Sequence, residues 1–223
     1  MIPVIIMAGG RGLRLHPLTE KTPKPLLQVG RKPLLETIID GFAEQGFRKF
    51  WLCLGYKAGL IQAHFGNGEG RGIKIRYVVE TQPLGTAGAL KLLPEFDVPF
   101  IVSNADVLAR VKYGHLMDAH ARSNADATVC LALHQRQVPF GVAETDDMNR
   151  LLTLREKPIH SWAVNAGLYV LNPGVRDKAE GDVFDMPDLI ARLDDVNTYA
   201  IEDFWLDVGH FESLARANAE LSQ

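Results

Sequence analysis

The sequence predicts an α/β fold: a three-layer, Rossmann-like arrangement in which a mostly parallel but mixed sheet carries helices on both faces. Two observations carry this expectation. Apolar runs of strand length alternate with stretches of helical periodicity through the first half of the chain. The first of these runs opens into a cluster of glycines, as a buried parallel strand does where it feeds a ligand loop.

The first strand is expected over residues 3–8. In residues 33–46, Leu35, Ile38, Ile39, Phe42 and Ala43 follow helical spacing, and Gly46 supplies a C-terminal stop. Strands over 50–54, 73–79 and 100–103 then alternate with helices over 57–65 and 86–93. Parallel strands need right-handed crossovers, and ligands collect outside the carboxyl ends of such strands. The second half reads differently, with strands over 127–133, 142–144, 151–155 and 164–171 and few helices between them. It is expected to extend the same sheet and to cover the substrate. Helices over 184–193 and 211–221 complete the chain.

At 223 residues the chain is expected to form one domain, burying roughly 70% of the surface its unfolded form would expose. Its 47% hydrophobic and 23% charged residues are ordinary globular composition, without a linker or low-complexity tract. A net charge of −3, with both signs interspersed, argues against nucleic acid or a membrane surface as partner. An anionic ligand would need a local pocket. Cys53 and Cys130 each sit in an apolar run, which suggests buried, reduced thiols and neither a disulfide framework nor a zinc site. The opening MIPVIIMAGG lacks a basic segment and is too short for a signal or a membrane span, so a cytoplasmic location is expected.

After the first strand come Ala8, Gly9, Gly10, Arg11, Gly12, Leu13 and Arg14, then Pro17, and then Thr22-Pro23-Lys24-Pro25. Gly9, Gly10 and Gly12 let backbone N–H groups approach phosphate oxygens with no Cβ in the way. Arg14 offers a planar clamp and Lys24 a compact charge, while the prolines stiffen their supports. By itself this segment is as compatible with a solvated turn as with an anion cradle. A P-loop is excluded because no Gly-Lys pair occurs, and a dinucleotide fingerprint because Leu15 stands where its third glycine belongs.

The segment resembles the opening motif of the sugar-nucleotidyltransferase family, Gly-Gly-x-Gly-Thr-Arg-Leu-x-Pro-Leu-Thr followed by Pro-Lys-Pro-Leu. Leu13 replaces the motif's threonine and removes one hydroxyl. The resemblance implies a nucleotide-diphospho-sugar transferase type of fold. It also implies that Arg14 and Lys24 hold nucleotide phosphates and that Ala8, Gly9, Gly10 and Gly12 line their site. Glu80-Thr81-Gln82-Pro83-Leu84-Gly85-Thr86-Ala87 resembles the family's base-reading segment, which assigns Gln82, Gly85 and Thr86 to the base or ribose. Glu80 is left between a base contact and a solvated carboxylate.

Ser103-Asn104-Ala105-Asp106 ends a buried run, and the resemblance makes Asp106 a Mg²⁺ ligand, with Ala105 in place of the family's glycine. Asp207, in Trp205-Leu206-Asp207-Val208-Gly209, matches the family's Trp-x-Asp-x-Gly and is the second metal candidate. Gly141, Glu156, Lys157, Asn165 and Gly167 resemble the sugar-phosphate site. Residues 1–110 are thus expected to form a nucleotide-binding half, and 111–223 a sugar-phosphate half.

The reaction so implied is attack by a sugar 1-phosphate on the α-phosphorus of a nucleoside triphosphate, with Arg14, Lys24 and Asp106 as the catalytic set. Gln137-Val138-Pro139-Phe140-Gly141 and Phe184-Asp185-Met186-Pro187-Asp188-Leu189 resemble the guanylyltransferase-like branch, which favours GTP over UTP, CTP or dTTP. Some relatives in that branch carry a separate regulatory domain, so the chain reads either as a minimal enzyme or as a catalytic piece. A non-catalytic nucleotide-sugar sensor and a nucleotide-dependent oxidoreductase are the rival classes. Neither oligomeric state nor the sugar is legible.

Overall fold

The computed structural model describes residues 1–179, 181 and 183–221. In chain order its elements are β1 (Pro3–Ala8), β2 (Gln28–Val29), β3 (Lys32–Pro33), α1 (Leu34–Glu44), β4 (Lys49–Leu54), α2 (Ala58–Phe65), β5 (Lys74–Val79) and α3 (Gly85–Gly88). There follow β6 (Phe100–Asn104), β7 (Val107–Ala109), α4 (Tyr113–Ser123), β8 (Ala127–Gln137), β9 (Gly141–Thr145) and β10 (Leu151–Glu156). The remainder comprises β11 (Ile159–Leu171), α5 (Met186–Ile190), β12 (Val196–Ile201), β13 (Trp205–Asp207) and α6 (Phe211–Leu221).

Seven strands form the central sheet in the order β12-β8-β11-β6-β1-β4-β5. β1 pairs in parallel with β4 and β6, β4 with β5, and β12 with β8, whereas β11 runs antiparallel to both β6 and β8. Val4, Ile5 and Ile6 are wholly buried, because a strand covered on both faces must be apolar at every position. One face packs on α1, whose Leu34, Leu35, Ile38, Ile39 and Phe42 are buried at helical spacing. Phe42 stacks on Tyr113 of α4 with ring centroids 3.9 Å apart. Each such fully buried side chain contributes about 1.5–3 kcal/mol by leaving water. The other face buries Phe100, Tyr169, Met186 and Leu189.

The structure departs from the sequence expectation in the second half. Residues 142–144 and 151–155 do not extend the central sheet. They lie in a separate two-stranded antiparallel ribbon, β9–β10. Their exposed leucines at 151, 152 and 154 look like core-strand residues in sequence. Helix α4 and strand β12 stand where no element was expected, and the helix expected over 86–93 is one α turn followed by a 3₁₀ turn. The helix expected over 184–193 is confined to Met186–Ile190. Among the described residues no helix is long and apolar enough to cross a membrane.

Candidate active site

The carboxyl ends of β1 and β6 open into a cleft of about 560 Å³ lined by Ala8, Gly9, Gly10, Gly12, Arg14, Lys24, Gly85, Thr86 and Asp106. Its floor is set by close backbone approach. Gly9 O accepts from Tyr56 N at 3.1 Å, and Ala105 N donates to Met7 O at 3.1 Å. Gly12 has φ +65°, and a Cβ there would lie 3.0 Å from both Lys24 Cβ and Thr19 Cγ2, so only glycine fits. Nothing lies within 4 Å of a Cβ built on Gly10, which faces open space. Leu13 stands at the cleft mouth, 70% exposed, so the residue that replaces a hydroxyl is an unpacked apolar side chain.

Lys24 Nζ donates to Asp106 Oδ2 at 2.6 Å. Val208 N donates to Asp106 O at 2.8 Å, which draws the end of β13 against the end of β6. Asp207 follows from this: burial first, and then the charge of Asp106, push its carboxyl above the ordinary value, against the pull of Lys24, Arg14 and His210. Asp207 Oδ1 is buried without a hydrogen-bond partner among the described residues. A Cβ on Gly209 would meet Asp207 Oδ1 at 2.8 Å and Arg14 Nη2 at 2.9 Å, so this glycine admits both groups. An orphaned carboxylate oxygen beside a second carboxylate suits a hard divalent cation. Mg²⁺ is commonly held by one or two carboxylates, with substrate phosphates and water as the other ligands.

A second cavity of about 310 Å³ shares Thr86 and Asn104 with the first and is lined by Asn165, Gly167, Tyr169, Asp185, Trp205 and Asp207. β11 breaks register between Asn165 and Tyr169, where Gly167 takes φ +71°. A Cβ at Gly167 would lie 2.6 Å from Asn104 Nδ2. Asn165 Nδ2 donates to the Tyr169 hydroxyl at 2.7 Å, Asn165 Oδ1 accepts from Gly167 N, and Trp205 Nε1 donates to Ala166 O. The bulge thereby turns polar groups of a core strand toward the cavity.

Of the sixteen sequence candidates, twelve line the two cavities, and Gln82, Gly141, Glu156 and Lys157 do not. Gln82 is exposed beside the cleft residue Pro83. Gly141 and Glu156 face each other in the β9–β10 ribbon, where a Cβ on Gly141 would lie 3.1 Å from Glu156 Oε2. Lys157 follows β10 with φ +47° and donates its N–H to Phe140 O.

Sequence reasoning missed the site positions of Asn104, Tyr169 and Asp185. Asp185 Oδ1 accepts from Thr86 N at 2.8 Å and from Thr86 Oγ1 at 3.1 Å, while Met186 N donates to Thr86 Oγ1 at 2.8 Å. Phe184 O accepts from Ala87 N and Gly88 N, so residues 184–186 hold the start of α3 from far along the chain. The only sequence signal was the Phe-Asp-Met-Pro segment itself. Glu80 lines the cleft, and its Oε2 accepts from Leu84 N at 3.2 Å. Burial raises its carboxyl above the ordinary value, and the Leu84 bond opposes the shift.

A glycine loop, an arginine, a lysine and Asp106 thus line one cleft at the carboxyl ends of the strands of an α/β sheet, with Asp207 in the adjoining cavity. The chain matches the Nucleotidyl transferase family over residues 3–223 and belongs to it. It is 34% identical to the mannose-1-phosphate guanyltransferase of Yarrowia lipolytica, covering 92% of this chain and 60% of that protein. It is 32% identical to the mannose-1-phosphate guanylyltransferase of Mycobacterium tuberculosis, covering 99% of this chain and 64% of that protein. The chain thus spans less than two thirds of the length of these curated relatives. In fold it is similar to the crystal structure of HddC from Yersinia pseudotuberculosis, with a TM-score of 0.78, 24% identity and 99% of each chain covered.

Proposed function

We propose that the chain transfers a nucleotidyl group from a nucleoside triphosphate, with GTP favoured, to a sugar 1-phosphate, giving a nucleotide sugar and pyrophosphate. The observation that carries this reading is the junction of the two cavities. Arg14, Lys24 and Asp106 line the first, Asp207 lines the second, and Thr86 and Asn104 belong to both. A triphosphate in the first cavity and a sugar phosphate in the second would meet beside these charged groups.

The attacking phosphate oxygen is already an anion, so no general base is required. The work of the chain is alignment and neutralisation of crowded negative charge. The amides of Gly9, Gly10 and Gly12 cradle the triphosphate, Arg14 takes the leaving pyrophosphate, and Lys24 takes the transferring phosphate. Asp106 and Asp207 would hold Mg²⁺, which supplies charge neutralisation on phosphate oxygens when bound. Gly85 and Thr86 meet the base or ribose, with Gln82 beside them, and Asn165 and Gly167 meet the sugar. Gly141 and Glu156 of the β9–β10 ribbon, with Lys157 just after it, supply further contacts to the sugar phosphate. Residues 1–110 serve the nucleotide and 111–223 the sugar phosphate, within one domain. The free, buried thiols of Cys53 and Cys130 suit a reducing, cytoplasmic setting.

The names of the relatives support guanosine as the base and a hexose 1-phosphate as the acceptor. The test is a matrix of five triphosphates against a panel of sugar 1-phosphates with Mg²⁺, read as pyrophosphate release. Turnover with GTP is expected. Turnover with UTP but not GTP overturns the choice of base, and no pyrophosphate from any pair overturns transfer itself.

A further inference from the structure

The opposite end of the sheet carries another ligand-sized hollow. It has a volume of about 340 Å³ and lies at the amino-terminal ends of β4 and β5 and in the segment before β6. Its walls include Lys49, Trp51, Lys74, Arg76 and Phe96. The candidate active site lies at the carboxyl ends of the strands, so the two are separated by the length of the sheet.

The register of β4 and β5 sets Lys49 opposite Lys74 and Trp51 opposite Arg76. Alternation along each strand puts all four side chains on one face. Neighbouring strands lie about 4.8 Å apart, and like charges directly opposite each other destabilise a pair. No ion pair within 4.0 Å involves Lys49, Lys74 or Arg76 among the described residues. Of the two rim carboxylates, Glu95 is held by Arg176 at 3.2 Å, which leaves Asp97 against three cations. Arg76 lies over the Trp51 ring, 5.2 Å from its centroid, and Phe96 meets the same indole edge-on at 6.3 Å. Both aromatic rings are half-buried. A partly apolar floor under three cations that form no ion pair among the described residues matches a ligand with a phosphate group and a flat ring.

We propose that this hollow binds a phosphorylated small molecule, with phosphate bridging Lys49 and Lys74 and a ring lying along Trp51 and Phe96. Such an anion removes the repulsion that this strand pair otherwise carries. The competing account is that Lys74 and Arg76 merely guard β5, the edge strand of the sheet, against pairing with other chains.

The experiment uses the full chain, ¹⁵N-labelled and without Mg²⁺, titrated with inorganic pyrophosphate. Its three tryptophans give three indole N–H signals, and Trp51→Phe assigns the one that matters. The Trp51 signal is expected to shift saturably with a Kd of about 1 mM or tighter. Lys49→Gln combined with Lys74→Gln should weaken that binding by about tenfold or more, whereas Arg14→Ala, which alters only the distant cleft, should leave it unchanged. GDP, which adds a ring, should bind more tightly than pyrophosphate. The proposal is overturned if the Trp51 signal stays still, moves no more than with sodium chloride at equal ionic strength, or moves equally in the double lysine variant. Equal affinity for GDP and pyrophosphate overturns the role of the ring.

Discussion

Lys24 Nζ lies 2.6 Å from Asp106 Oδ2, with 11% of the lysine side chain and 26% of the aspartate side chain exposed. This charge-assisted bond ties the proline-flanked segment after the glycine loop to the carboxyl end of β6. It places the cation proposed for the transferring phosphate beside the carboxylate proposed for Mg²⁺.

Asp106→Ala is expected to abolish pyrophosphate release and to lower stability by about 2 kcal/mol, because Lys24 loses its partner. Asp106→Asn retains an acceptor for Lys24, so it should keep most of the stability and still lack turnover. Thermal unfolding and the release assay separate the two effects. Near-wild-type release by folded Asp106→Asn would sink the metal assignment.

Arg14 serves the leaving group in the proposed reaction. Arg14→Ala should slow turnover by at least about 10²-fold, which corresponds to a transition-state contact of a few kcal/mol. Arg14→Lys should recover only part of that loss, since a lysine cannot make a planar two-point contact with phosphate. Equal rates for the lysine variant and the wild type would reduce Arg14 to a point charge.

Asp207 makes stability depend on pH. Its carboxyl is raised above the ordinary 3.8 by burial and by Asp106. Between the unfolded and folded values the native state binds more protons, so stability falls as pH rises through that window. Asp207→Asn should therefore melt higher than the wild type at neutral pH without Mg²⁺, by about 2–4 °C for each kcal/mol relieved. The gap should close on acidification, where Asp207 is itself neutral. A gap that is independent of pH would show that the asparagine acts through packing.

Asp185 anchors Thr86 through two hydrogen bonds. Asp185→Ala should cost about 1 kcal/mol, the usual net worth of an intramolecular hydrogen bond. If the anchor positions the nucleotide, KM for the triphosphate should rise by about fivefold while kcat changes less. Unchanged KM with reduced stability would make the bond purely structural.

Much of the framework was legible because it rests on local pattern. The apolar run of residues 3–8, the buried stripe of α1 and the glycine stop at Gly46, which has φ +92°, all follow from neighbours in sequence. The glycine loop was equally plain, but its neighbourhood was not. Residues 142–144 and 151–155 read as strands of the main sheet, the latter with three leucines, yet they pair only with each other, since pairing partners are chosen by the whole sheet.

By itself the sequence determined the alternating α/β framework, the family motif and the residue types able to hold phosphate and metal. Tertiary structure alone decided that Arg14, Lys24, Asp106 and Asp207 meet, that Asp207 Oδ1 is left without a partner, and that Asp185 grips Thr86 across 99 residues. The physical reason is range. Helical and strand periodicity act over a few residues, whereas desolvation and Coulomb coupling depend on distances that only the packed sheet sets.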